Sequence, residues 1–311
     1  MKSLALAKEV INASLAGRLL SASRSRLASR LRGFLRLIRP VNSTMVGLAV
    51  VIGMLIASRG LLRVLTLDVV LPGFITGFTL SAAAMSINDY YDRDVDLIND
   101  PSRPIPSGVV KPVEALMVTV ALCALGLAAS LSLNVYCLIL ASLALAASIT
   151  YATVGKTFGL PGNAMVSFCV ALPFIYGGLA LGNLDPVLLV FALMAFLANM
   201  GREVVKGIVD VVGDAARGIK TIAAVYGRAV AAYLATLFYL LAVSLSALPW
   251  LMGAVSVYYL PLVAVSDAGF IATSIKLLKD PSREKARQAK QEALVWMLIG
   301  LLAFALGTNL T

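Results

Sequence analysis

Residues 67–96 read LDVVLPGFITGFTLSAAAMSINDYYDRDVD. The first part, residues 67–88, is mostly apolar and about as long as the 20 or so residues that a helix needs to cross a bilayer. The remaining residues, 89–96, are rich in aspartate. This stretch therefore predicts a membrane-spanning helix that ends in a cluster of carboxylates.

The composition of the whole chain supports a membrane protein. Of its 311 residues, 60% are hydrophobic and only 14% are charged, whereas a soluble domain is about half apolar and a quarter charged. A single soluble core would not hide so much apolar surface, so the bilayer is the expected solvent. We predict an all-α, polytopic membrane bundle of about nine spans, at roughly 40–58, 67–88, 112–131, 134–152, 164–182, 186–205, 229–248, 250–274 and 291–308.

Charge placement gives the orientation. With nine spans, all of the 26 Lys and Arg residues except Arg59 and Arg63 fall on one side of the membrane. The positive-inside rule predicts that this side is the cytoplasm, so the N-terminus and the charged loops are expected there, in the cell membrane. The net charge of +10 is then a topology signal with attraction to membrane lipid, and a nucleic-acid partner is not needed. We divide the chain into a basic amphipathic N-terminal segment, 1–38, and a transmembrane domain, 39–311.

Two acidic motifs carry the predicted chemistry. Asn88, Asp92 and Asp96 recur every four residues and share one helix face, while Asp210 and Asp214 repeat the spacing in a later loop. Four spans separate the motifs, so both are expected at the same membrane face. Carboxylates that repel one another there favour a hard cation, and Mg²⁺ commonly binds one or two carboxylates together with substrate phosphates. The chain has no histidine, which excludes imidazole metal sites and a histidine base.

Cations near the motifs predict an anionic substrate. Arg103, Lys156, Arg202 and Lys206 lie in or beside the same loops, where they would neutralise phosphate oxygens. Two facing acidic clusters with a diphosphate between them would make diphosphate a good leaving group.

At these residues the chain resembles the UbiA superfamily of intramembrane prenyltransferases. The first motif matches N-x-x-x-D-x-x-x-D and the second matches D-x-x-x-D, while other matches are Arg39, Pro40, Asn42, Tyr151 and Lys156. The resemblance implies Mg²⁺-dependent transfer from a prenyl diphosphate. It implies metal ligation by Asn88, Asp92, Asp96, Asp210 and Asp214, catalytic roles for these four aspartates and Tyr151, and substrate contacts from Arg39, Asn42, Arg103, Lys156, Arg202 and Lys206. The ring of Tyr151 would face the allylic cation.

A narrower resemblance points to the archaeal-lipid branch, the digeranylgeranylglyceryl phosphate synthases. Residues 98–108 read INDPSRPIPSG, and 202–206 read REVVK, and both runs are similar to that branch. The implied reaction transfers geranylgeranyl from its diphosphate to the hydroxyl of geranylgeranylglyceryl phosphate, a lipid-like phosphorylated acceptor, in archaeal ether lipid biosynthesis. The chain departs from the branch at Gly207, Val209 and Val212, where accessory acids are expected.

Two alternatives stay open at this point. One is UbiA-type prenylation of an aromatic acid or quinone precursor. The other, outside enzymes, is an ion-coupled transporter, although transporters usually place coupling sites near the membrane midplane. Asp267, inside the eighth span, is a further candidate functional group, or it hydrogen-bonds Ser266 or Ser274 locally.

Overall fold

The computed structural model describes residues 27–216 and 218–308. Within those residues nine helices are long and apolar enough to cross a membrane, so the predicted span count and the all-α membrane fold are confirmed. We label them α1–α9: Pro40–Ala57, Leu67–Asn99, Pro112–Leu133, Val135–Thr153, Leu160–Ala180, Pro186–Val209, Arg228–Leu245, Tyr259–Lys279 and Arg283–Gly307.

Three helix ends differ by eight residues or more from the sequence prediction. Helix α8 begins at Tyr259 rather than near 250, because the apolar run before it forms the short helix Leu248–Leu251 and then turns at Gly253, whose φ is 66°. Helix α9 begins at Arg283, about two turns earlier than expected, because polar residues extend the helix beyond its apolar part. Helix α2 continues without a break through the acidic motif to Asn99, 33 residues in all.

A glycine contact brings α1 and α5 unusually close. A Cβ atom on Gly177 would clash with the backbone nitrogen of Met54, and one on Gly53 would lie 2.7 Å from the carbonyl oxygen of Phe174. Small residues that let two backbones approach are a common way to pack helices in membranes, where dispersion contacts replace the hydrophobic effect. The crossing fixes α1 and α5, and both contribute residues to the central cavity described below.

A buried hydrogen-bond cluster links three helices. The hydroxyl of Tyr176 in α5 lies 2.8 Å from Ser130 Oγ in α3 and 3.2 Å from Thr76 Oγ1 in α2. Lipid offers no competing partners, so such bonds help to set the register of neighbouring helices. Helix α2 is therefore held in place well before it reaches the acidic motif.

The loops sort into two groups at opposite ends of the bundle. Arg59, after α1, pairs with Asp185, before α6, at 3.1 Å, so those two loops lie at one end. The loops that follow α2, α4 and α6 lie at the other end, as their alternation requires. The chain is thus a multi-pass membrane protein, with the two acidic motifs at a common end.

Candidate active site

A cavity of about 320 Å³ opens between the helices. Its interior is lined mainly by apolar side chains, such as Val46, Leu80, Met194, Phe270 and Phe304. Part of its polar lining comes from residues near the motif-bearing ends of α1, α2, α4 and α6: Asn42, Asn88, Tyr151, Arg202, Glu203 and Lys206. The cavity therefore combines an apolar interior with a polar, cationic mouth.

The start of the first motif is tied to the loop after α4. Asn88 Nδ2 donates to Asp92 Oδ2 at 3.1 Å, and Lys156 Nζ lies 2.6 Å from the same oxygen. The Lys156 ammonium is also 5.9 Å from the centroid of the Tyr151 ring. Asn88 and Asp92 of the first motif thus meet Tyr151 and Lys156, which come from the end of α4 and the loop after it.

The end of the motif is tied to two arginines. Arg103 Nη1 lies 2.6 Å from Asp96 Oδ2 and 3.6 Å from Asp89 Oδ1, and Arg39 Nη2 bonds Asp89 Oδ1 at 2.6 Å. Asp89 and Asp96 are buried, with 3% and 6% exposure. Burial alone lowers the pKa of Arg103, but the carboxylates of Asp96 and Asp89 outweigh it and the pKa is raised above its usual range. The ion pairs therefore hold both guanidinium groups over the motif.

The loop that carries Arg103 is itself ordered at its start. Asp100 accepts hydrogen bonds from Ser102 Oγ at 2.6 Å and from Ser102 N at 3.2 Å. The bond from the Ser102 hydroxyl is the largest influence on Asp100 and lowers the pKa of its carboxyl. Asp100 also accepts from Arg103 through its carbonyl oxygen, at 3.1 Å, so the turn places Arg103 directly after the end of α2.

A second charged cluster lies on α6. The buried carboxylate of Glu203 lies 3.3 Å from Arg202 Nη1 and 3.0 Å from Lys206 Nζ. Glu203 was not among the predicted site residues, although an acid with cations one residue before and three after it, inside an apolar span, was a usable signal. Its role in the structure is to hold two cations at the cavity wall.

The second acidic motif stands apart from the cavity lining. Asp210 is the C-terminal cap residue of α6, and Asp214, in the short helix Val211–Ala216, donates its backbone N–H to the Asp210 carbonyl at 2.9 Å. Neither side chain lines the cavity, and of the first motif only Asn88 does. Across residues 27–216 and 218–308, moreover, no three His, Cys, Asp or Glu side chains are grouped so that they could hold a metal ion. The five predicted oxygen ligands are therefore not gathered into one cluster.

The first motif nevertheless suits a hard cation. Among the described residues, the Asn88 Oδ1 atom is buried and accepts no hydrogen bond, which is costly for a carboxamide oxygen. It belongs to the same side chain that contacts the Asp92 carboxylate. An oxygen ligand beside a carboxylate is the donor set that Mg²⁺ prefers.

Asp267 does not make the local hydrogen bond that was one of its two interpretations. It lines the cavity, and its Oδ2 accepts a hydrogen bond from Ser246 Oγ of the α7 cap at 2.6 Å. The predicted local partner Ser266 instead donates to the Trp296 carbonyl at 2.9 Å. The correct partner lies on another helix, which residue spacing within α8 does not reveal.

Comparison with known proteins decides the family. A model described as the UbiA prenyltransferase family matches residues 46–306. The chain belongs to this family. The resemblance seen in the motifs is thereby confirmed, and the chain is a prenyltransferase.

Individual relatives extend this result. This chain is 38% identical to a digeranylgeranylglyceryl phosphate synthase from Methanopyrus kandleri. The match covers 88% of this chain and 98% of the relative. A relative of the same name from Methanocaldococcus jannaschii is 36% identical, with 89% and 96% coverage.

Solved structures agree with the fold. One described as digeranylgeranylglyceryl phosphate synthase in membranes matches with a TM-score of 0.70 and 34% identity, over 90% of this chain and 98% of that one. A UbiA homolog from Archaeoglobus fulgidus bound to DMAPP and Mg²⁺ matches with a TM-score of 0.60 and 21% identity, over 88% and 99% of the two chains.

Proposed function

We propose that this prenyltransferase transfers a geranylgeranyl group from geranylgeranyl diphosphate to the free hydroxyl of geranylgeranylglyceryl phosphate. The observation that carries the proposal is the 38% identity to a relative of that name along nearly its whole length. The motif INDPSRPIPSG at residues 98–108 supports the same branch. The product would hold the second ether bond of an archaeal lipid core.

The reaction breaks the bond between C1 of the donor and the diphosphate oxygen, and forms a bond between C1 and the acceptor oxygen. The diphosphate leaves with the bonding electron pair and takes up the proton that the acceptor hydroxyl loses. Cations beside the first motif would neutralise the departing charge, as electrostatic stabilisation of a leaving group requires. Lys156, Arg103 and Arg39 are the residues we assign to this task.

We assign the metal site to Asn88, Asp92, Asp96, Asp210 and Asp214. Bound Mg²⁺ would supply further neutralisation of the leaving diphosphate. Support comes from the unsatisfied Asn88 oxygen and from the Archaeoglobus fulgidus homolog, which binds DMAPP and Mg²⁺. In this arrangement the apolar cavity would receive the prenyl chain and exclude water from the reacting carbon.

Tyr151 and Asn42 complete the proposed site. Tyr151 lines the cavity beside Lys156, so its ring face would meet positive charge that develops at C1. Asn42 lines the same cavity from the first turns of α1, where it would contact the diphosphate.

A phosphorylated acceptor needs its own cationic pocket. Arg202 and Lys206 line the cavity while Glu203 holds them in place, and we assign the acceptor phosphate to this pair. Gly207, Val209 and Val212 stand where the branch has accessory acids, so prenylation of an aromatic acid or quinone precursor is the second candidate. An aromatic carboxylate would use the same cations.

We further propose that the chain works in the cell membrane with its N-terminus and both acidic motifs in the cytoplasm, as the positive-inside rule predicts. Residues 1–38 would form a basic segment outside the prenyltransferase domain, 39–311.

A competition assay tests the acceptor. Purified enzyme receives geranylgeranyl diphosphate, Mg²⁺ and equal concentrations of geranylgeranylglyceryl phosphate and an aromatic acid, and mass spectrometry identifies the products. The diether phosphate should dominate. If the prenylated ring dominates and no diether forms, the acceptor assignment is wrong.

Matched variants test the site. Asp92→Asn removes a proposed ligand charge, whereas Asp94→Asn removes a charge that is 83% exposed on the same helix. We expect a loss of at least a hundredfold in kcat/KM for the first, since losing one electrostatic contact to a transition state commonly costs about 3 kcal/mol. The Asp94 variant should keep near-normal activity, and equal activity of the two variants would exclude Asp92 from the site.

A further inference from the structure

The helical segment 27–38 has an apolar face that is more than half exposed within residues 27–216 and 218–308. Leu27, Leu31 and Leu35 are 60%, 56% and 52% exposed. At about 100° per residue, four-residue spacing puts the three leucines on one stripe, about 80° wide. Arg32 and Arg36, both exposed, lie about a third of a turn away from the centre of that stripe.

A third face of the segment packs against the protein. Leu37 is fully buried in a cluster with Ile105, Val110 and Ala115, and Phe34 packs against this cluster. Arg30 pairs with Glu114, and Arg36 donates to the Ser102 carbonyl at 3.4 Å. The segment is thus held in place, and its leucine stripe is turned away from the contacts that hold it.

The contacts also locate the segment relative to the bilayer. Glu114 and Ala115 lie in the first turn of α3, where the exposed side chains of Val113 and Met117, 66% and 67% accessible, begin the lipid-facing surface of that helix. The segment joins α1 through a single residue, Arg39, whose left-handed backbone (φ 45°, ψ 67°) ends the helical course. Both neighbours therefore enter the membrane next to the segment.

We infer that segment 27–38 is an interfacial helix that docks on the anionic lipid surface of the membrane. The leucine stripe inserts among the upper acyl chains, and the arginines beside it meet lipid phosphates. Charge complementarity favours this partner, because residues 1–39 contain nine Lys and Arg residues and one acid. Apolar area together with a basic face is the combination that binds interfacial helices to anionic leaflets.

Docking has a consequence for the site. The segment leads directly into Arg39, which bonds Asp89, and it packs on the loop that carries Arg103. A lipid-held segment therefore holds both arginines and the loop over the acidic motif. The inference does not rest on the identity of the acceptor, because it concerns only the segment and the bilayer.

Quenching by lipid tests the inference. Leu31→Trp and its neighbour Arg32→Trp are each placed in nanodiscs whose lipids carry bromine on the upper acyl chain, and the emission added to that of the parent chain is recorded. The Trp added in Leu31→Trp should be quenched at least threefold more than the one in Arg32→Trp and should emit at shorter wavelength. Equal quenching and a water-like emission maximum in both variants would overturn the inference.

A second measurement uses the unaltered protein, so that it does not depend on either variant folding. Amide hydrogen exchange is followed for the peptide covering 27–38 in nanodiscs of anionic lipid, in nanodiscs of neutral lipid and in detergent. Exchange should be at least several-fold slower in anionic lipid than in the other two. Equal rates in all three would contradict docking on an anionic surface.

Discussion

Asp89 is the residue whose removal should most disturb the arrangement of arginines over the first motif. Asp89→Asn keeps the shape of the side chain but removes the charge that faces Arg39 at 2.6 Å and Arg103 at 3.6 Å. A hydrogen bond to a charged group contributes about 1.5–3 kcal/mol, and breaking a buried ion pair costs about 3–5 kcal/mol. Both arginine side chains are 34% exposed, so water solvates them in the variant and offsets part of the lost interaction energy. We therefore expect the contacts of the loop to weaken by about 2–3 kcal/mol.

The loss should appear as easier opening of the loop that carries Arg103. A change of 2–3 kcal/mol corresponds to an opening equilibrium raised about 30- to 150-fold, which amide hydrogen exchange measures for the peptide covering 100–111. The matched control is Asp94→Asn, because Asp94 is 83% exposed and lies 3.7 Å from Arg93. A surface pair of that kind contributes at most about 1 kcal/mol, so its change should stay below about fivefold. If both variants exchange alike, Asp89 does not organise the loop.

Three further predictions follow from the same structure. Gly177→Ala should lower the midpoint of thermal unfolding in detergent by several degrees, since overpacking costs about 1–3 kcal/mol. Gly300→Ala should leave the midpoint nearly unchanged, because its Cβ would meet only Ser266 Oγ at 3.4 Å. Equal midpoints for the two variants would argue against the close crossing of α1 and α5. Chelation of divalent cations should abolish transfer and added Mg²⁺ restore it, with Asp92→Asn needing at least tenfold more Mg²⁺; undiminished activity in the chelator would refute the metal proposal. A cysteine at Ser107 should resist a membrane-impermeant reagent added outside intact cells and one at Leu184 should react, and the reverse pattern would invert the proposed orientation.

The sequence was sufficient for the fold because hydropathy depends only on local composition. Apolar runs of bilayer length and alternating charge predicted nine spans, and the structure has nine within its described residues. The start of α8 was wrong, because the residues after Trp250 are as apolar as a span and nothing local distinguishes a turn at Gly253 from a continuing helix. Its positive φ of 66° is a property of the folded backbone.

The sequence predicted which residues belong to the candidate site, but only partly which of them contact one another. Four-residue spacing placed Asn88, Asp92 and Asp96 on one face of α2, because helix geometry fixes it. The contacts Asp92–Lys156 and Asp267–Ser246 join different helices, and no spacing rule reaches across a bundle. Glu203 was overlooked for a related reason. Its role depends on its burial between two cations, and the packing of the other helices determines that burial.

The length of α2 has a consequence for how the membrane acts on this enzyme. Its 33 residues at about 1.5 Å each extend about 50 Å, whereas the hydrocarbon of a bilayer is about 30 Å thick. The carboxylates at the C-terminal end of α2 therefore lie outside the hydrocarbon. The rest of the helix is a rod that crosses the whole bilayer. A change of about 5° in the tilt of a rod this long moves its tip by about 4 Å, which is more than the length of a hydrogen bond. Because bilayer thickness sets helix tilt through hydrophobic mismatch, acyl-chain length alone should adjust the separation between the two acidic motifs.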